Sequence, residues 1–382
     1  MELETWHLLL LPLFFALGWG AARIDMRQVL RESRMVPQSY FRGLNYLLNE
    51  QPDQAIESFL ELARLDPDTL ELHFALGALF RRRGELDRAL RIHQALADRA
   101  DLDVEHRLKA LFELGQDYHK SGLLDRAETV FKQLADSSYG LEAAKHLQQI
   151  YILEREWAQA IAATEQLQRM GCATSDADVA HFYCELALNA QLQQDAVAAQ
   201  GYLQDALRFG RKSARPLLLL GDLARTGGDR EAALEHWRRV EAVAPEALPL
   251  VAQRFLDVSV ELDRIETARQ TVEAWLQRHA SADLFHVLFT FVAARQGWAV
   301  ARGFAAQALA TNPGLRVLDD WLQATANDSI ELRVAQDVVH RQVSTTAYYQ
   351  CGECGFRARQ HFWQCPACAR WESIAPERVN QE

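Results

Sequence analysis

The stretch from Leu76 to Leu96, LGALFRRRGELDRALRIHQAL, sets Gly77 and Ala89 twelve residues apart, with Phe80 three residues after the glycine. The same small-residue pair recurs as Gly43/Ala55, Gly115/Ala127, Ala187/Ala199 and Gly221/Ala233. Successive units are 34 residues apart from the first to the second, and 34 again from Ala187 to Gly221. The step from the second to the third is 38, with the four extra residues in DRADLDVEH. Aromatics keep register with the pair: Tyr46, Phe80 and Tyr118 follow its first member by three, and Phe59, Phe131 and Trp237 follow its second by four. Two small residues facing each other let a pair of helices approach closely, and the aromatics fill the space beside them.

This is the tetratricopeptide pattern, and it predicts an all-α solenoid of helical hairpins. A further unit, LQQIYILEREWAQAIAATEQL, keeps Tyr151 and Ala160 but carries Gln148 where a small residue is expected. Units near 248–280 and 282–313 are degenerate, retaining Ala268 and then Ala301 with Pro313. About eight units fit between residues 36 and 313. Such repeats bury a core only by stacking, and they leave a concave groove suited to extended peptides or helices rather than to chemistry.

Composition agrees. Among 382 residues 49% are hydrophobic, which places the chain with folded proteins. A formal charge of −11 argues against a nucleic-acid-binding surface. No G-x-S-x-G, H-E-x-x-H or G-x-x-x-x-G-K-[ST] motif occurs, so no catalytic residue and no hydrolase are expected.

From Trp6 to Ala22 the chain has no formally charged residue, and as a helix this stretch reaches about 25 Å, near the short limit for a bilayer span. Trp6 and Trp19 stand near its ends, where indole rings favour the interface. The start, Met1-Glu2-Leu3-Glu4, lacks the basic residues of a cleaved signal peptide, whereas Arg23, Arg27, Arg31 and Arg34 follow the span. Residues 1–22 are therefore expected to be a retained transmembrane anchor, and 23–35 a basic juxtamembrane segment holding everything after it in the cytoplasm.

Residues 314–347 read as C-terminal helices and a linker. Asp328 with Glu331 three residues on suggests a helix cap, and QVSTTA at 342–347 a polar connection. Cys184 lies on an apolar helix face and is expected to be an inert buried thiol; His181 beside it reads as a packing or surface residue, not a ligand. Cys172 has no basic neighbour to activate it.

The tail, 348–382, is of another kind. Cys351-x-x-Cys354 and Cys365-x-x-Cys368, ten residues apart, offer four thiolates to one metal ion, zinc or a single iron. Gly352 and Gly355 give the first knuckle access to positive φ, while Ala369 stands in the second where glycine would be easier. A module this short folds only with its metal. Tyr348, Tyr349, Phe356, Phe362, Trp363 and Trp371 exceed what so small a core can hide, so some should dock onto the helical stack. An Fe(Cys)₄ centre could carry electrons, but no flavin or nicotinamide fingerprint accompanies it, and a structural ion is the expected role.

An anchor, about eight repeats, and a rubredoxin-type tail, with GLNYLLNEQPDQAIESFLEL, LGALFRRRGELDRALRIHQAL, AHFYCELAL and CGECGF…CPACARW in order, together resemble the lipopolysaccharide assembly protein B family of Gram-negative bacteria. The resemblance covers essentially the whole chain. It implies a cytoplasm-facing inner-membrane regulator that promotes turnover of the lipid A deacetylase LpxC by the membrane protease FtsH. Partnership with an inner-membrane lipopolysaccharide sensor and scaffolding of assembly enzymes are also implied, and a homodimer is left open. The metal ligands carry over as Cys351, Cys354, Cys365 and Cys368. The rival readings are a rubredoxin-type electron carrier and a membrane scaffold without effect on proteolysis.

Overall fold

The computed structural model describes residues 70–379 apart from 312, 327 and 347, together with scattered positions between 42 and 58. The expected anchor at 1–22 and the arginines after it lie outside the described residues, as does most of the first repeat. Among the described residues no helix is long and apolar enough to cross a membrane.

The chain divides after Glu154 into two units. The first contains α1 (Leu70–Arg83), α2 (Leu86–Ala97), α3 (Val104–Lys120), α4 (Leu124–Gln133) and α5 (Gly140–Leu153). The second begins with α6 (Trp157–Arg169) and continues through α7 (Asp176–Leu192), α8 (Ala196–Phe209), α9 (Arg215–Thr226), α10 (Arg230–Arg238) and the single turn α11 (Val240–Val243). It goes on with α12 (Leu248–Glu261), α13 (Ile265–Arg278), α14 (Ala282–Gln296), α15 (Trp298–Thr311), α16 (Leu315–Thr325) and α17 (Ile330–Thr346). A two-stranded ribbon follows, β1 (Tyr349–Gln350) antiparallel to β2 (Arg357–Ala358).

Five hairpins turn in the same way. The residue two before the second helix takes positive φ: Gly84, Gly122 and Gly228 in three hairpins, Gln194 and Asp263 in two others. The next amide reaches back five residues, as in Glu85 N to Phe80 O at 2.9 Å and Arg264 N to Ser259 O at 2.8 Å. That bond satisfies a carbonyl the first helix would otherwise leave open.

The small-residue positions work as inferred, through a partner sixteen residues on. A methyl group on Gly115 would lie 2.8 Å from the Phe131 ring, and one on Gly77 or Gly221 would collide with His93 or Trp237. His93 therefore fills the place that Phe131 and Trp237 fill elsewhere, a substitution the aromatic count had passed over. Where the first position is Ala187, its counterpart is Leu203, and both belong to one buried cluster. In the units that looked degenerate the sizes even out or reverse, as Leu256 with Val272 and Phe289 with Ala305, all fully buried in one core. The volume of the pair, rather than the small residue, is what recurs.

Neighbouring hairpins are also joined by charge at about one repeat's separation. Arg81 on α1 holds Glu113 at 2.6 Å and the buried Asp117 at 2.8 Å on α3. In the second unit Arg215 on α9 meets Glu185 on α7 at 2.5 Å, and Arg254 on α12 meets Asp222 on α9 at 3.1 Å. The exposed pairs add little stability, but each sets the register of one hairpin on the next.

Two local expectations are corrected. Ser329, not Asp328, caps α17, accepting the Leu332 amide at 3.2 Å; Asp328 is drawn off by Arg302 at 2.8 Å. The polar stretch expected to form a linker stays helical to Thr346, so α17 runs almost directly into the tail.

Gly221→Ala should destabilise the second unit by about 1–3 kcal/mol through overpacking against Trp237. Adding Trp237→Leu, which copies the Ala187/Leu203 pair, should cost less than the sum of the two single changes by about 1 kcal/mol or more. Chemical denaturation of the four proteins of the cycle reads this directly; strict additivity would refute the paired-volume account.

Candidate metal centre and its docking face

The tail closes on itself before it meets the helices. Tyr348 and Val379 pair at its two ends, Cys351 pairs with Ile374, and Gln364 with Trp371. Both cysteine knuckles have the same backbone. In the first, Gly355 N donates to Cys351 O at 3.0 Å and Cys351 N to Phe356 O at 2.8 Å. In the second, Ala369 N donates to Cys365 O at 2.8 Å and Cys365 N to Arg370 O at 2.9 Å. The residue after the second cysteine takes positive φ in each, 75° at Gly355 and 58° at Ala369. Ala369 thus accepts the left-handed strain that glycine avoids. Gly352 does not use its freedom: its φ is ordinary, and its amide donates to Ser373 O at 2.7 Å.

This geometry brings Cys351, Cys354, Cys365 and Cys368 together, with their four sulfurs all within 4.8 Å of one another. Cys351 Sγ lies 3.7 Å from Cys368 Sγ, and Cys354 Sγ 3.7 Å from Cys365 Sγ. A tetrahedron with metal–sulfur bonds of ~2.3 Å has edges of about 3.8 Å, so the donor set fits one ion. The Ser373 hydroxyl, 3.3 Å from Cys351 Sγ, acts with the Cys354 and Glu353 amides to bring that thiol down, while the crowded sulfurs push Cys354 up, so the cluster favours one thiolate and resists the next without a cation. Cys351 and Cys365 are buried beside Ile374, with Tyr349, Phe356 and Phe362 packed around them.

Trp363 and Trp371 turn outward onto helices of the second unit, as expected, while Tyr348 pairs with Val379 inside the tail. Trp371 stacks on His181 of α7, with ring centroids 4.6 Å apart and planes 7° from parallel, and meets Trp157 and Phe182 edge-on. The Arg215 guanidinium lies 5.2 Å from the Trp371 ring and 6.0 Å from that of Trp363, which also packs against the helical core. His181 is more than the packing residue the sequence suggested. It is fully buried, with Arg215 Nη1 3.2 Å from its Nδ1 and Glu372 Oε1 3.2 Å from its Nε2. Burial of Glu372 works against its charge, but His181, Ser213 and Arg215 outweigh it and hold the carboxyl below its usual range.

A second clamp closes at the start of α14. Glu377 accepts the Ala282 amide at 2.9 Å, and Asp283 accepts the Arg378 amide at 2.9 Å and its guanidinium Nε at 3.1 Å. Arg316 of α16 approaches the same carboxylate at 3.3 Å. Nothing local foretold these contacts, because the partners are 95 residues apart in sequence. Cys184 is a buried thiol pushed up to about 12 by desolvation, as its apolar face suggested, and it lies outside the metal set.

The chain is thus a tetratricopeptide-type helical stack that carries a four-cysteine, rubredoxin-type module docked on its second unit. Residues 349–376 match the rubredoxin metal binding domain family, and residues 72–108 match the tetratricopeptide repeat. Over 378 residues the sequence is 34% identical to lipopolysaccharide assembly protein B of Escherichia coli K12, covering 97% of each chain. It is 28% identical to the protein of that name from Haemophilus influenzae, covering 98% of each. The chain belongs to the lipopolysaccharide assembly protein B family. Among solved structures it is similar to pilF of Pseudomonas aeruginosa, at 20% identity and a TM-score of 0.31, over 59% of this chain and 96% of that one.

Replacing Cys351 and Cys354 by Ser should abolish metal binding and open residues 348–379 to protease. Trp371→Ala should keep the metal but loosen docking by about 3 kcal/mol, the scale of a lost buried tryptophan. Metal content and limited proteolysis on the two variants separate folding of the module from its attachment. A tail equally resistant in all three proteins would show that neither the metal nor Trp371 holds it.

Proposed function

We propose that the protein serves lipopolysaccharide assembly as a non-enzymatic adaptor. Residues 1–22 tether it to the inner membrane, the helical stack on the cytoplasmic side grips other polypeptides, and the result is faster FtsH-dependent removal of LpxC. An inner-membrane lipopolysaccharide sensor is the second partner. The identity of 34% across 97% of the chain supports the role in lipopolysaccharide assembly.

The observation that carries the non-enzymatic reading is the closed sulfur site. Four protein ligands fill a tetrahedron, leaving no open position for water or substrate, as in structural rather than catalytic metal centres. Zinc or iron would serve equally in that role. The ion's task is to hold a shape, and that shape fastens α7, α9 and α14 through His181, Arg215 and Asp283. A module so placed forms one wall of the surface offered to a client. Tethering supplies proximity: confining adaptor and protease to one membrane raises their effective concentration without a new contact.

In cells lacking the chain, LpxC half-life should lengthen severalfold, and the full chain should restore it. Residues 23–382 at native expression should not, nor should the Cys351→Ser/Cys354→Ser protein. An unchanged half-life on deletion would replace this reading with that of a scaffold. Full activity of protein reconstituted with zinc alone would exclude electron transfer.

A further inference from the structure

A second charged cluster lies beside the module, and neither metal binding nor docking exhausts it. A cavity of about 250 Å³ opens among α14, α16, α17 and the tail, lined by His286, Arg316, Asp319, His340, Arg359 and Arg378. Three arginines thus face a single aspartate in the lining. Arg316 is 93% buried, since only 7% of its surface is exposed, yet its Nε has no hydrogen-bond partner among the described residues. Arg378 directs Nε and one terminal nitrogen to Asp283, at 3.1 Å each, and is also hydrogen-bonded to Tyr349. Arg359 is exposed and pairs with no acid among the described residues.

The acids nearby are already engaged, although Asp319 Oδ1 and Asp320 Oδ2 have no hydrogen-bond partner among the described residues. Asp283 takes Arg316 and Arg378 together. His286 Nδ1 lies 2.7 Å from Asp320 Oδ1, and His340 Nδ1 3.0 Å from Asp319 Oδ2, so each imidazole occupies one oxygen of a carboxylate beside the cavity. A buried guanidinium N–H left without an acceptor is costly, and native proteins rarely keep one. Planar guanidinium groups converging on one space are the usual receivers of phosphate and carboxylate oxygens.

We infer that this cavity binds an oxyanion, the phosphate or carboxylate group of a small ligand or of the charged end of a larger one, held by Arg316, Arg359 and Arg378. Its volume falls just below that of sites for drug-sized molecules, which suits a single such group. Because Arg316 comes from the stack while Arg359 and Arg378 come from the tail, the ligand bridges the two. The inference is independent of the proposed adaptor role.

Arg359 is the residue to change, since Arg316 and Arg378 also hold Asp283 and their loss would disturb docking. The metal-loaded full chain in detergent is titrated calorimetrically with inorganic phosphate and, separately, with acetate at constant ionic strength, alongside Arg359→Ala and Arg359→Lys. Metal content and melting temperature serve as checks on folding. Saturable one-to-one binding is expected, weakened at least tenfold by Arg359→Ala and partly restored by Arg359→Lys. Phosphate binding alone would identify a phosphoryl ligand, acetate binding alone a carboxylate, and binding of both an oxyanion site of broad acceptance. No saturable binding of either anion, or equal affinity in Arg359→Ala, would overturn the inference.

Discussion

Four sulfur atoms held within 4.8 Å of one another repel as thiolates unless a cation sits among them. That constraint governs the second unit. The knuckle hydrogen bonds fix the two turns, the turns aim Trp363 and Trp371, and the chain beyond them places Glu372, Glu377 and Arg378. Through these side chains one ion's coordination reaches α7, α9 and α14, none of which supplies a ligand. The module's own core is small, Ile374 and the ligand sulfurs with Tyr349, Phe356 and Phe362 packed around them, so the metal and the stack must share the work of ordering it.

The stack keeps its shape by a different rule. Close approach of paired helices is usually credited to the small residue, yet here it persists where the small residue moves to the other helix, as at Phe289 and Ala305. What each hairpin conserves is the space shared by two positions sixteen residues apart. His93 shows that shape counts before chemistry: its imidazole takes the place of a phenyl or indole ring, at the expense of a buried charge network with Asp117, 2.5 Å away, and Arg81.

Much of this was legible in the sequence. Gly77, Gly115 and Gly221 announced the repeat because glycine within a helix is costly unless a neighbour requires the room. The four cysteines announced the metal centre because two C-x-x-C units admit few other readings. The excess of aromatics announced that the tail would dock. Where it would dock was not legible. His181 looks like any histidine on an apolar helix, and Asp283 like any acid in a first helical turn. Their roles come from residues 191 and 95 positions away, a separation that leaves no periodic or local trace. The misplaced cap at Asp328 has the same origin, a distant arginine overriding a local preference.

The clamp on Asp283 also dictates a timetable. A ribosome delivers α14 long before Arg378 leaves the exit tunnel, so the helix start waits for its last partners, and His181 waits longer for Trp371. The nascent stack therefore stands open along that face until residues 348–379 have emerged and folded against it. Late arrival of these partners leaves His181 and Asp283 bare on the growing stack, two polar groups that the helices alone do not fully satisfy.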